Sequence, residues 1–360
     1  MPTSNDSAGI RFPLYQVSGS PREMGRQHGE QARLKIMGYL GYLCETLRMD
    51  ERNLAQRAAR FRVEFTQHCP QLLEEVDGLA QGAGISKDLA LASQLRGELG
   101  GLADGGCTTF AIGPRGTANG EVLIGQTSDM PAEIRSFAYV LQVRPDDRPQ
   151  AIMWSFGGMI GYHGVNEHGV AHFANALGGG PAWKFALSHY PLKRLILEQS
   201  SLDEVLAKMR AFPVCSNGNY MLCDGEKNIL DVELTSDGPF LIEDSDEGFL
   251  VHTNHYLCAE HSCQANFDQS LPDSFPRLER MRTMIREKFG TITVEDVKRF
   301  LADHDGLPVG ICRHPHDGYG DAILPASGLT AAAMIAEPAS GKFHVACGNP
   351  CENPFLPFEL

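Results

Sequence analysis

The sequence predicts an α+β fold, two β-sheets stacked face to face and flanked by helices, with a mainly helical N-terminal segment. Three observations carry this. Up to about residue 100, apolar residues recur at three- and four-residue steps, the spacing of amphipathic helices. From Cys107 onward the pattern turns into short β-prone runs separated by turn residues such as Asn119-Gly120. Helical pairs interrupt those runs, and strands, then helices, then strands again is the order of a sandwich with helical outer layers.

In chain order, residues 11–17 make a first strand, and Ser18-Gly19-Ser20-Pro21 turns into a helix with proline in its first turn. That helix covers 22–49. Leu34, Met37, Leu40, Leu43 and Leu47 form its apolar face, and Arg26 and His28 read as solvated or capping residues. A second helix runs over 51–67. A third, over 70–83, closes at Gly82-Ala83-Gly84, and Ser86 caps a fourth over 87–95. Strands at 107–112 and 121–126 form a hairpin about Asn119-Gly120. Residues 137–144 and 150–156 form a second pair, followed by a strand at 170–175. Helices are expected at 188–199 and at 201–211, the latter with Ser201 and Glu204 as a capping box. Strands return at 218–223, 228–234, 239–243 and 248–252. Helices follow at 275–288 and 293–303, with Thr293 as N-cap. The tail offers strands at 309–313, 320–325, 331–336 and 341–346.

A chain of 360 residues suits two domains or one large sandwich, and 42% hydrophobic with 21% charged residues is enough to build a full core. A net charge of −14 argues against nucleic acid and anionic membranes as partners. No apolar run is long enough to cross a bilayer, and Met1–Asp6 lacks the marks of a signal peptide, so a cytoplasmic protein is expected. Its ten cysteines then read as thiols rather than disulfides. Neither Cys258/Cys263 nor Cys347/Cys351 has the usual zinc spacing, and no metal or cofactor is expected. The phosphate loop and the Gly-x-Ser-x-Gly nucleophile elbow are both missing from the sequence.

The chemistry centres on Asp104-Gly105-Gly106-Cys107-Thr108-Thr109-Phe110. Two glycines before a cysteine allow backbone conformations closed to other residues, and a thiol beside a strained carbonyl can attack it. Cutting the Gly106–Cys107 bond would make Cys107 an N-terminal residue carrying thiol and α-amine together. With an amine of ordinary pKa about 8 beside a thiol of about 8.5, one serves as base for the other. The plain alternative is a buried cysteine at a strand start. Asp129, after the second hairpin strand, is brought near that amine, or else is a turn aspartate. Asn175 and Asn254 each end an apolar strand; each is an oxyanion-donor candidate or a turn residue. His252 and His255 are three apart, which puts them on opposite strand faces and argues against a shared metal. His163, His168 and His172 read as ordinary hydrogen-bonded histidines. Arg313 is a carboxylate clamp or a structural pairing.

Several stretches together resemble one family. They are Gly106-Cys107-Thr108-Thr109, Gly125-Gln126-Thr127-Ser128-Asp129, Asn166–Leu177, His252-Thr253-Asn254-His255, Leu271-Pro272-Asp273-Ser274 and Ile311-Cys312-Arg313. Upstream, Gly25-Arg26-Gln27-His28-Gly29, Asp77–Gly84 and Leu95-Arg96-Gly97-Glu98 fit as well. The family is that of the acyl-coenzyme A:6-aminopenicillanic acid (isopenicillin-N) acyltransferases, whose relatives include β-alanyl-amine hydrolases. The resemblance implies an N-terminal-nucleophile hydrolase with an αββα sandwich. It implies self-cleavage between Gly106 and Cys107 into chains 1–106 and 107–360, which stay together as one unit. It implies Cys107 as nucleophile, Asp129 as a polar partner and Asn254 as oxyanion donor, and Arg313 matches the family's Ile-Cys-Arg; Arg313, Asp321, Asn175 and Thr108 are expected at the substrate. Thr127-Ser128 replaces the Asn-Trp of the penicillin enzyme. Asp321 falls where that enzyme has a second arginine, and an acid there would repel a penam carboxylate and favour an amine. The expected reaction is acyl transfer or hydrolysis of a small N-acyl amine, amide or thioester through an acyl-enzyme, with coenzyme A as a leaving group. A strict hydrolase of a small aminoacyl amine, and an uncleaved binding protein on the same fold, are the alternatives.

Overall fold

The computed structural model describes residues 11–100, 106–243, 246–258, 273–315 and 328–360. Its N-terminal part is β1 (Leu14–Gly19), then helices α1 (Pro21–Thr46), α2 (Glu51–Ala59), α3 (Arg62–His68), α4 (Pro70–Ala83) and α5 (Lys87–Ala92). The expected single helix over 51–67 is two, because the chain tightens at Phe61, whose amide bonds the Ala58 carbonyl at 2.9 Å and whose ring is buried. Ser20, Asp50 and Ser86 cap α1, α2 and α5 through their side chains.

The packing of α1 on α4 corrects the expected apolar face. A Cβ on Gly25 would lie 1.9 Å from the Glu75 carbonyl oxygen, and one on Gly78 would lie 2.1 Å from that of Arg22. Gly29 and Gly82 are just as close to the opposite backbone, at 2.4 and 2.0 Å. The two helices therefore touch backbone to backbone along glycines four apart. That contact turns α1 so that Ile36, Tyr39, Leu40 and Leu43 are buried, while Leu34 is 84% and Met37 48% exposed. It also buries His28, which meets the Tyr139 hydroxyl at 2.7 Å, whereas Arg26 stays on the surface with Glu23 and Glu30. The glycines that helped to suggest the family thus serve packing.

From Cys107 the chain builds two sheets. The first has eight strands in the order β1, β4 (Ala138–Pro145), β5 (Ala151–Phe156), β6 (His163–Asn166), β7 (Ala171–Ala176), β8 (Gly218–Cys223), β9 (Ile229–Thr235), β10 (Gly238–Ile242). The second has six, in the order β11 (Phe249–His252), β2 (Cys107–Ile112), β3 (Leu123–Pro131), β12 (Gly328–Glu337), β13 (Lys342–Cys347), β14 (Phe355–Glu359). Among the described strands only the β1–β4 pairing is parallel. β2 and β3 of one sheet face β7 and β8 of the other. Outside the first sheet lie α1, the short α6 (Ile134–Phe137), α7 (His189–Ile196) and α8 (Leu202–Ala211). Outside the second lie helices Ser274–Lys288 and Val294–Leu301, which close over Phe110, Ile112, Val251 and Ile335. This is the four-layer αββα arrangement.

The strands β6 and β14 were not foreseen. Residues 309–313 are not a strand; the Val309 amide turns back to Gly306 and that of Cys312 to Asp303, so the segment loops before Arg313 reaches β12. The expected strand at 320–325 lies outside the described residues.

Gly78→Ala should lower stability by about 2 kcal/mol or more, because backbone must move to admit the methyl. Gly41→Ala, on the open face of α1 with nothing within 4 Å, should instead add about 0.5–1 kcal/mol. Chemical denaturation of the two variants beside the parent chain checks both signs.

Candidate active site

Cys107 opens β2, next to the centre of the second sheet. Strand alternation aims Cys107 and Thr109 at the first sheet and Thr108 and Phe110 at the helices outside. The pairing Cys107↔Ser128 brings the next residue of β3, Asp129, beside Gly106. Asp129 lies inside β3, which runs on to Pro131, not past its end. Its amide donates to the Gly106 carbonyl at 2.8 Å. The Cys107 amide donates to Asn254 Oδ1 at 2.9 Å, and its carbonyl accepts from Arg277 Nη1 at 2.6 Å. Both sides of the Gly106–Cys107 bond are therefore held by named groups.

Arg277 ties these parts together. Besides the Cys107 carbonyl it donates to Thr108 Oγ1 at 3.0 Å, Asn254 Oδ1 at 2.8 Å and Asp273 Oδ2 at 2.7 Å. Arg313 donates to the same Asp273 oxygen at 2.6 Å and faces Asp129 Oδ2 at 3.6 Å. Thr330, on β12, donates to Asp129 Oδ1 at 2.7 Å. All of these side chains are buried. A Cβ on Gly106 would lie 3.2 Å from Asp129 Oδ2 and 3.4 Å from Arg313 Nη2. Glycine is thus required there for room, not for a left-handed backbone angle.

Burial, opposed by Arg313 and Arg277, leaves the Asp129 carboxyl at about 6. Burial followed by the negative charge of Asp129 pushes the Cys107 thiol up to about 11. Asp273 is also pushed up by burial, but its two guanidiniums outweigh this and leave it below the usual carboxylate range. A pocket opens at Cys107 between the sheets. Asn175, Met130 and the rings of Tyr162, Tyr190 and Tyr220 line it, together with Lys193, whose Nζ sits 4.1 Å from the Tyr162 ring centre.

A family model described as acyl-coenzyme A:6-aminopenicillanic acid acyltransferase matches residues 116–352. The chain belongs to this family. It is accordingly an enzyme of acyl transfer or amide hydrolysis. The match begins downstream of Cys107. No curated protein matches the sequence. Among solved structures the chain is similar to a mutant conjugated bile acid hydrolase from Clostridium perfringens, at 13% identity, 71% of this chain, 97% of that one and a TM-score of 0.47. It is also similar to a Caenorhabditis elegans N-acylethanolamine-hydrolyzing acid amidase orthologue, at 14% identity, 65% and 93% coverage and a TM-score of 0.45. A penicillin V acylase from Agrobacterium tumefaciens is similar at 11% identity, 67% and 82% coverage and a TM-score of 0.46.

In this acyltransferase-family chain Cys107, Thr108, Asp129, Asn254 and Arg313 lie in one connected network. Asn175 lines the pocket beside it, and Asp321 lies outside the described residues. Arg313 is taken up by Asp273 and Asp129 in the uncleaved chain. His252 meets Glu233 Oε1 at 3.1 Å, while His255 turns to Ser274 Oγ at 2.8 Å. Arg277 is the residue that motif reading missed. Its signal was in the helix: Ser274, Arg277, Leu278, Met281 and Ile285 repeat in phase, so the arginine sits on the buried stripe. Asp273, four residues before it, is its ion-pair partner.

Arg313→Met removes the positive charge nearest Asp129 and should cost about 3–5 kcal/mol at neutral pH. The Asp129 carboxyl, already raised to about 6, rises further without Arg313. A group whose pKa is raised on folding stabilises the fold while it is protonated, and that contribution is lost as pH rises through the folded value. The loss in Arg313→Met should therefore shrink as pH falls through about 6 toward about 4, leaving the part that comes from the lost bond to Asp273, and denaturant titrations of parent and variant check this.

Proposed function

We propose that the chain is a self-cleaving cysteine N-terminal-nucleophile enzyme. Cys107 Sγ attacks the Gly106 carbonyl carbon, the Gly106–Cys107 amide breaks as its nitrogen takes a proton, and Gly106 is left as a thioester on sulfur. Water then hydrolyses the thioester. This releases the Gly106 carboxylate and returns the thiol beside a new α-amine. The observation that carries the reading is the 2.8 Å hydrogen bond from the Asp129 amide to the Gly106 carbonyl oxygen, where negative charge would develop during attack. Asp129 Oδ2, which accepts no hydrogen bond among the described residues, is the partner ready for the new ammonium. Residues 1–106 stay bound to 107–360, because β1 remains the partner of β4 and Glu75 remains in its buried pair with Arg194 at 3.3 Å.

In turnover, the Cys107 thiol attacks the carbonyl of a small amide or thioester and the α-amine carries its proton. The acyl-enzyme then passes its acyl group to water or an amine; with a thioester substrate coenzyme A leaves first. The two asparagines take different roles. Asn175 Nδ2 spends both hydrogens, on Thr109 Oγ1 at 2.9 Å and Asn219 Oδ1 at 3.2 Å. Its Oδ1 is buried at the pocket wall with no hydrogen-bond partner among the described residues, and in this reading it is the acceptor that a substrate N–H reaches on binding. Asn254 Nδ2 uses one hydrogen on the Ala176 carbonyl at 3.0 Å, and its second is the oxyanion donor of this reading. Thr108 Oγ1 accepts from Arg277, and Arg313 faces Asp129, so both steady the charged groups beside the nucleophile.

The denatured mass should reveal fragments 1–106 and 107–360 in the parent chain and one intact chain in Cys107→Ala. An intact parent chain after long incubation would point to the binding-protein alternative, and equal turnover with and without an added amine would point to the strict hydrolase. Asn175→Ala should slow hydrolysis of an N–H amide about tenfold more than that of the matching thioester, which has no N–H to lose a partner. Comparing kcat/KM for the two substrates in one variant cancels any effect on folding.

A further inference from the structure

The loop that delivers Arg313 carries a second cluster, which the spacing of the cysteines in sequence does not disclose. Cys312 and His314 flank Arg313, His304 lies at the start of the loop, and Cys351 lies in the turn after β13. One donor atom from each lies within 4.8 Å of all the others. Cys312 Sγ is 3.6 Å from Cys351 Sγ and 3.7 Å from His314 Nε2. Cys351 Sγ is 3.4 Å from His314 Nε2, and the Nε2 atoms of His304 and His314 are 3.0 Å apart.

These are close to the edges of a tetrahedron around zinc. With Zn–S of about 2.3 Å and Zn–N of about 2.0–2.1 Å, the edges are about 3.8 Å between sulfurs, about 3.6 Å from sulfur to nitrogen and about 3.4 Å between nitrogens. We propose that Cys312, His314, Cys351 and His304 form a structural zinc site. Two thiolates and two imidazoles are a donor set that suits zinc, and four protein ligands close the coordination sphere. The surroundings complete it. His314 Nδ1, on the far side of the ring, faces Glu352 Oε1 at 3.8 Å, the carboxylate support that metal-bound histidines take. Asn349 Nδ2 donates to Cys312 Sγ at 3.4 Å and to the Arg313 carbonyl at 2.6 Å.

This site departs from the sequence expectation that no metal is bound. Its ligands come as Cys-x-His and two distant single residues, not as paired cysteines. The zinc would pin a loop with little regular structure to the turn after β13 on both sides of Arg313. It would thereby hold the guanidinium that meets Asp129 and Asp273. Binding releases the protons of two thiols.

The test uses the untagged full chain, purified with added ZnCl2 and then freed of loose metal. Elemental analysis should find close to one zinc per chain, in the parent and equally in Cys107→Ala, which separates this site from the proposed cleavage. Cys351→Ser and His304→Ala, both at exposed positions, should each weaken zinc retention by more than about tenfold and lower the thermal midpoint. Cys44→Ser should keep the metal. Zinc at trace level in the parent chain overturns the proposal. So does an intact mass two hydrogens light with a Cys312–Cys351 disulfide in the peptide map.

Discussion

An unpaired charge inside a protein costs several kcal/mol, so the four charges buried beside the Gly106–Cys107 bond constrain one another. Asp129, Arg313, Asp273 and Arg277 form a row that alternates in sign. Each comes from a different part of the chain: β3, the loop before β12, the residue ahead of helix Ser274–Lys288, and that helix itself. The row is neutral as a whole but intolerant of losing a member. It therefore fixes the relative positions of three segments that share no regular hydrogen-bond ladder. The Cys107 carbonyl and the Asn254 amide hang on its Arg277 end, and Gly106 is wedged against its Asp129 end.

The same row sets the electrostatics of the thiol. Asp129 is the acid least well paired, with Arg313 only at 3.6 Å, and it is the one raised to about 6. Burial first, and then the charge of Asp129, opposes a negative charge on Cys107 and pushes its thiol up to about 11 in the uncleaved chain. Under the proposed cleavage this conflict is relieved from within. The new ammonium appears between Asp129 and Asn254 and supplies the positive charge that the thiolate lacks. A site that is inert as a peptide thus becomes a base and nucleophile pair by losing one bond.

Much of the fold was legible because its signals are local. Hairpin turns, caps and strand alternation gave β2, β8, β9, β11 and α4 nearly to the residue, since each depends on neighbours along the chain. What was misread depends on distant partners. The face of α1 was assigned from leucines, but glycines decide it, because backbone contact with α4 outweighs exposing Leu34 and Met37. The edge strand β14 is short, broken by Pro357, and made a strand only by pairing with β13. For the site, Cys107 and Asn254 were visible because they flank strand ends, and Asp129 because the β2–β3 hairpin brings it back beside Cys107. Arg277 was not, because its role follows from a helix docking on the outer face of the sheet.

The two asparagines illustrate how far a residue's neighbours decide its chemistry. Thr109 Oγ1 gives its own hydrogen to the His252 carbonyl, and Asn219 gives its Nδ2 to Asp231, so both can only accept from Asn175. That fixes the Asn175 amide nitrogen on these two acceptors and leaves its buried Oδ1 without a hydrogen-bond partner among the described residues. Behind them, burial opposes a charge on His252, but Asp231 and Glu233 outweigh it and raise its pKa, and His252 Nε2 meets Glu233 Oε1 at 3.1 Å. Asn254 is set the other way, with its oxygen held by the Cys107 amide and by Arg277. Under the proposed reading, a substrate amide would give its N–H to Asn175 and take a hydrogen from Asn254 on its carbonyl oxygen, so the two residues would serve opposite ends of the same group.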